Sequence, residues 1–339
     1  MTSPLARRLS APRPNDHQAR QRELLRLLAR LEFVPARHLH ALVAPALHTV
    51  TFWRWLQTTH AQRLIWRHPV APGRLPGGIA ASNGAPPPRT PMLYGLTAHG
   101  RAWLEREGVE DDLAVLERAI VRDWRRPELK TGQLAHDLLV VEWCARALIG
   151  LRRSPMLQSV EVVMEYVSAT SESGQPLQRF DALVLVQVAP TLPKASNPGP
   201  IPWTWAQPGA PGVLAWAVEI DRGTEPLVTL LGKSVMYRDL TVSGHYEATL
   251  GTKPLPVVVT PTARRAAQIA REWLDGWPGG RGIAAPIDRL ADRHGGILWG
   301  RYKTMGFNPA RDATLWEDLG LTRKQWDSQQ ECKQGSDAS

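Results

Sequence analysis

Leu24, Leu25, Leu27, Leu28 and Leu31 recur at helical spacing, which predicts a first helix over 17–32. Pro35 and Pro45 each suit a first helical turn, where a missing N–H costs nothing, and open helices over 35–43 and 45–59. Val50, Trp53 and Leu56 form the expected inward face of the third helix. RLIWRHPV (63–70) reads as a strand, the Pro/Gly-rich stretch 71–91 as a loop, and MLYGL (92–96) as a second strand. A further helix over 96–107 has Thr97 as its cap. Three helices, a strand, a loop, a strand and a closing helix are the order of a winged helix-turn-helix domain.

The pattern changes beyond residue 110. Helical sequence over 110–124 precedes a helix over 132–150, in which Leu134, Leu138, Val141, Ala145 and Leu148 make one stripe. In SVEVVMEYV (159–167), Val160, Val162, Met164 and Tyr166 share one strand face, and Glu161 and Glu165 the other. RFDALVLVQV (179–188) and VLAWAVEI (213–220) are nearly continuous apolar runs, as expected of central strands covered on both faces. The loop between them carries Trp203 and Trp205, which are expected to pack. A helix over 226–240, the strand LPVVVT (255–260) and a helix over 262–275 complete an α-β-β-β-α-β order, which fits an α/β domain with a mixed central sheet. Beyond 276 the pattern offers one short apolar patch, GILWG (296–300). The expected organisation is a multi-domain α/β chain: a basic tail (1–16), a winged helix-turn-helix domain (17–109), a linker helix (110–129), an α/β domain (130–275) and a C-terminal extension (276–339).

Composition narrows the classes. A chain of 339 residues leaves room for two domains, and 43% hydrophobic with 22% charged residues is ordinary for a globular protein. Runs of roughly 18 apolar residues, the signature of a membrane span, are absent, as is the apolar core of a secretory signal. Cys144 and Cys332 exclude a disulfide framework and a four-thiolate zinc site, so a soluble cytoplasmic protein is expected. The net charge of +9 is unevenly spread: residues 1–109 hold 15 Arg, no Lys and 5 acids, and the remainder is near neutral. A basic module of this kind points to a polyanion.

In a helix-turn-helix the second paired helix enters the major groove, so Thr51, Arg54, Gln57 and Thr58 are the base-reading candidates. Arg54 matches guanine and Gln57 adenine in two-pronged hydrogen bonding. Arg37, Arg63, Arg67, Arg74 and Arg89 are candidates for phosphate or minor-groove contact. The alternative is a solvated arginine face that mediates protein contacts.

A second constellation is acidic. Asp181 opens one central strand, and Glu219 and Asp221 close another, on one face by the strand period of two. Lys233 and Tyr237, four apart, share one helix face. Carboxylates from adjacent strands with a lysine suit phosphodiester hydrolysis, in which Mg or Mn held by Asp181, Glu219 and Asp221 activates water and Lys233 steadies the developing charge. The alternative is strand-end residues paired with one another and with Arg222. His38 and His40, two apart on a helix, face different ways and make a poor metal site. His136, Asp137 and Glu142 could approach the acidic cluster from the preceding helix, but a surface or capping role is the expectation, and Cys144 is expected in the core. No phosphate-cradling glycine motif is present.

LTAHGRAWL, HDLLVVEWCARAL, RFDALVLV and AVEIDRGTEPLVTLLGKSVMY together resemble the replication-relaxation family of plasmid and integrative-element proteins, over about 20–260. The resemblance implies a winged helix joined to a domain similar to the PD-(D/E)xK nucleases. It aligns Asp181 and Glu219 with that superfamily's two acids, and puts Asp221 where its lysine usually stands. Lys233 would substitute from the next helix, and with Tyr237 it has the spacing of the Gln-x-x-x-Tyr motif of RecB-type nucleases. The implied partners are double-stranded DNA, relaxase or replication proteins and a second copy of the chain. The leading expectation is a DNA-binding protein of replication or mobilisation whose nuclease-like domain is non-cleaving or conditionally active. A Mg-dependent endonuclease or nickase and a winged-helix transcriptional regulator are the alternatives.

Overall fold

A computed structural model describes residues 17–70, 92–107, 113–129, 132–152, 157–188, 213–278, 280 and 282–286, and the backbone of 302–305 and 312–313. Arg74, Arg89, Trp203, Trp205, Cys332, the basic tail and the GILWG patch lie outside the described residues.

The N-terminal part contains α1 (His17–Leu31), β1 (Phe33–Pro35), α2 (Ala36–Val43), α3 (Thr49–Ala61), β2 (Ile65–Pro69), β3 (Met92–Leu96) and α4 (Ala98–Arg106). Its three strands form an antiparallel sheet in the order β1-β3-β2. The three-residue β1 is too short to show a period and is absent from the sequence-based expectation. Gly95 of β3 faces Trp66 of β2 across the ladder, and a Cβ on Gly95 would meet the buried indole at 2.2 Å. That close approach requires glycine.

The inward face of α3 differs from expectation. Phe52, Trp55, Leu56 and Thr59 are buried, whereas Val50 is 50% exposed. Positions 52, 55, 56 and 59 make a broader stripe than 50, 53 and 56, and the contact of Phe52 with His40 of α2 holds the helix in that rotation.

After α5 (Leu113–Arg118), shorter than the predicted linker helix, the chain runs extended and the Arg122 amide donates to the Leu96 carbonyl. The remainder contains α6 (Leu134–Arg152), β4 (Leu157–Thr170), β5 (Pro176–Val188), β6 (Val213–Ile220), α7 (Leu227–Val242), α8 (His245–Leu250), β7 (Leu255–Thr260), α9 (Ala263–Gly276), β8 (Gly282–Pro286), β9 (Tyr302–Met305) and β10 (Asp312–Ala313). These strands form one mixed sheet in the order β10-β9-β8-β7-β6-β5-β4. β6, β7 and β8 run parallel, and the other neighbours pair antiparallel. Three strands therefore lie beyond residue 276, where the sequence pattern suggested only an extension.

As the apolar runs imply, both faces of β5 and β6 are covered. Ala182, Val184, Val186, Trp216 and Val218 pack toward α6. Leu183, Leu185, Ala215 and Ala217 pack toward α7 and α9, against Leu230, Tyr237, Ile269 and Trp273. On β4, Glu165 adopts φ 49°, which breaks the alternation, so Tyr166 joins the α7 side instead of the side of Val160 and Val162. Glu161 is also not on a solvent face: it is buried against Arg30.

The apolar cluster on α6 continues without a break into α1, α2 and α3. Polar bonds cross the same junction. Arg30 Nε bonds Glu161 at 2.9 Å, and both side chains are 1% exposed. Arg152 donates to the Ala41 and Leu42 carbonyls, and Arg122 pairs with Glu32. Among the described residues, no helix is long and apolar enough to cross a membrane.

Candidate functional site

Two groups of side chains carry candidate chemistry. The acidic group lies where β5 meets β6. The ladder's end pair is Ala182 with Val218, which sets Asp181 beside Glu219. Asp181 Oδ2 accepts a 2.7 Å bond from the Ile220 amide and lies 3.3 Å from His136 Nε2 on α6. The other ring nitrogen of His136 lies 3.3 Å from Asp137 Oδ1. Bonds to Asp137 and Asp181, against the effect of burial, push the imidazole up to about 9, so it is cationic at neutral pH. His136 thus joins the acidic group, where a surface or capping role was expected.

Glu219 is 5% exposed, and its Oε2 accepts a 3.0 Å bond from Lys233 Nζ. Its Oε1 is buried without a hydrogen-bond partner. Burial pushes the carboxyl up to about 7, although Lys233 pulls the other way. Lys233 also lies 3.1 Å from Glu225 Oε1. Burial opposes the charge on Lys233, but the two carboxylates outweigh it and hold the ammonium above its ordinary range.

Asp221 is drawn elsewhere. Its Oδ2 accepts a 2.6 Å bond from Arg265 Nε on α9, and its Oδ1 accepts the Gly223 amide at 2.8 Å. The second bond closes a tight turn with Gly223 at φ 82°. Arg265 donates as well to the Glu225 carbonyl. The expected trio of Asp181, Glu219 and Asp221 is therefore not gathered, and among the described residues no three His, Cys, Asp or Glu side chains are placed to hold a metal ion. A hard divalent cation needs several free oxygen ligands. Here a histidine and an amide share Asp181 Oδ2, a lysine takes Glu219 Oε2 while Oε1 stays unpaired, and an arginine and an amide take both oxygens of Asp221, so the three carboxylates are turned to separate partners within the protein.

Lys233 and Tyr237 do share a face of α7, but Tyr237 is fully buried, stacked on Phe180 and packed on Trp273. It is a core residue. Glu142 lies apart from Asp181, held by Arg37, His38 and Arg146. Burial opposes its charge, but His38 and the two arginines outweigh burial and hold the carboxyl well below the usual range. His38 turns to Glu142 and His40 to the Leu47 carbonyl, as their spacing predicts. Cys144 is fully buried, and burial pushes its thiol up, as expected of a core cysteine.

A cavity of about 470 Å³ between α1, α5, α6 and β4 reaches His136 and Asp181, with Arg30, Arg118 and Glu165 also in its wall.

The basic group centres on α3. Thr51, Arg54, Gln57 and Thr58 are all exposed, opposite the buried stripe. The Thr58 hydroxyl donates to the Arg54 carbonyl at 3.2 Å. Arg63 and Arg67 are exposed beside this helix. Arg37 is not available in the same way, because its guanidinium bonds Glu142 and His38 at the junction with α6.

No curated protein and no solved structure matches the chain. The sequence pattern that defines the replication-relaxation family matches residues 25–255, from α1 to the first residue of β7, and so takes in both groups of side chains. The chain belongs to the replication-relaxation family.

Proposed function

We propose that the protein binds duplex DNA through α3 during replication or mobilisation of a plasmid or integrative element. Its α/β part then acts as a nuclease-like scaffold that does not cleave, or cleaves only under altered conditions. Family membership points to replication or mobilisation. The observation that carries the DNA reading is the outward row of Thr51, Arg54, Gln57 and Thr58 on a helix whose opposite face is buried. The succession α2, α3, β2 and β3 supports reading this part as a winged helix-turn-helix. Arg54 and Gln57 have the hydrogen-bonding forks that read guanine and adenine. The internal pairing of Asp181, Glu219, Asp221 and Lys233 supports the non-cleaving role.

The test is equilibrium binding to replication-origin or transfer-region DNA. Arg54→Ala with Gln57→Ala should weaken specific binding at least about thirtyfold, since each two-pronged base contact contributes about 1–3 kcal/mol. Undiminished binding by the double variant overturns the assignment of α3. Supercoiled plasmid should survive incubation with Mg or Mn. Nicking that disappears in Asp181→Ala and Glu219→Ala would establish the endonuclease instead, and binding confined to promoters would establish a transcriptional regulator.

A further inference from the structure

We infer that residues 122–126, which lie beyond the N-terminal module in sequence, form a phosphate-binding patch that extends the surface of α3 along a DNA duplex. The inference rests on the proposal that this part of the protein binds DNA.

The segment is fixed at both ends and in its middle. The Arg122 amide bonds the Leu96 carbonyl, and its guanidinium bonds the Glu32 carboxylate and the Glu128 carbonyl. Asp123 Oδ1 accepts the amides of Arg125 and Arg126, each at 2.8 Å, and sets the turn that carries both arginines. Trp124 Nε1 donates to the His60 carbonyl at 2.9 Å, which seats the indole on the last turn of α3.

Trp124 then gathers charge. The guanidinium carbons of Arg63 and Arg125 each lie 5.2 Å from its ring centroid, so the two cations are at most twice that distance apart. An aromatic face attracts a guanidinium and holds it in place. The ring of His60 lies 5.4 Å from that of Trp124, and burial first and the charge of Arg67 second lower its proton affinity. Arg63, Arg67, Arg125 and Arg126 are exposed, and none forms an ion pair with a described carboxylate. The nearby Asp123 directs Oδ1 to the backbone amides of Arg125 and Arg126, and its charge partly offsets those of the two guanidiniums.

Backbone geometry at Arg63 adds a second, independent indication. Its φ is 60°, and its amide and that of Leu64 bond back to the His60 and Thr59 carbonyls at the end of α3. Glycine is the favoured residue at such a helix end, so arginine is held there at a conformational cost. Two guanidiniums held on one indole, with further exposed arginines beside them, suit neighbouring phosphates of a DNA strand, which take contacts from arginine without regard to sequence.

The full chain is titrated with a fluorescent duplex of about 30 base pairs and arbitrary sequence, between about 50 and 200 mM salt. Arg125→Ala with Arg126→Ala should weaken binding and lower the slope of log affinity against log salt by about 2, one unit per lost phosphate contact. Arg63→Gly, whose backbone suits the helix end, should keep its thermal stability and lower the slope by about 1. Arg101→Ala, from an exposed pair with Glu105 on α4, should leave the slope unchanged. An unchanged slope in the Arg125/Arg126 variant, with the wild-type protein binding, overturns the patch. A wild-type protein that binds no duplex overturns the DNA reading beneath it.

Discussion

Glu219 has one carboxylate oxygen on Lys233 and the other, buried, on nothing. Its proton balance follows from that. The folded-state value near 7 stands above the ordinary 4.5, so the native state holds a proton that the unfolded chain releases. The stabilisation by the neutral form is complete below about 4.5 and is lost as pH rises through 7, a change of at most about 3 kcal/mol. Glu219→Gln should therefore flatten the fall in melting temperature between pH 5 and pH 8. Parallel wild-type and variant curves would mean that Glu219 is ionised throughout and paired with Lys233. Sequence spacing placed Asp181, Glu219 and Lys233 together, because strand ends and one helix face are local properties. It offered the approach of His136 to the acidic group only as the weaker alternative, and it could not show that Arg265, 44 positions from Asp221, would take that carboxylate. Those contacts depend on how whole helices lie on the sheet.

At the scale of elements, caps and apolar runs were the readable signals. Thr97 accepts the Gly100 amide at 3.0 Å and shares its hydroxyl proton between the Arg63 and Leu64 carbonyls, at 2.6 and 2.9 Å, so the predicted cap of α4 also ties that helix to the residues just before β2. Thr97→Ala should cost about 1–2 kcal/mol in urea unfolding, and Thr97→Ser should recover most of it, since the hydroxyl makes these bonds. Equal stability of all three proteins would show that the cap carries little weight. β6 and β7 coincide with their predicted spans for a similar reason: a run buried on both faces has sharp polar ends. Less was legible where the signal was short or interrupted. GIAAP of β8 has every residue buried but no alternation to announce it, and the positive φ of Glu165 reverses the face of Tyr166 midway along β4.

For the whole molecule, the charge split of the sequence suggested a basic reading head on a neutral body. Part of that positive charge is spent on carboxylates of the second part, Arg30 on Glu161 and Arg37 on Glu142, while Arg22 with Glu107 and Arg101 with Glu105 pair within the first part. Among the described residues, exposed arginines without an ion pair cluster around α3, at Arg54, Arg63 and Arg67. The pair of Arg30 and Glu161 matters most for the assembly, because it joins α1 to β4 across a shared apolar core. Arg30→Ala leaves a carboxylate buried without its partner and should cost about 3–5 kcal/mol. Replacing both partners, Arg30→Met with Glu161→Leu, removes the charge and most of the volume mismatch, and should recover most of that loss. If the two parts unfold as one unit, the Arg30→Ala melting curve stays a single transition at lower temperature, followed equally by tryptophan fluorescence and by backbone circular dichroism. Two separated transitions would mean that each part holds its own core and that the joint contributes only orientation. The continuous packing from α3 through α6 to the sheet favours one transition.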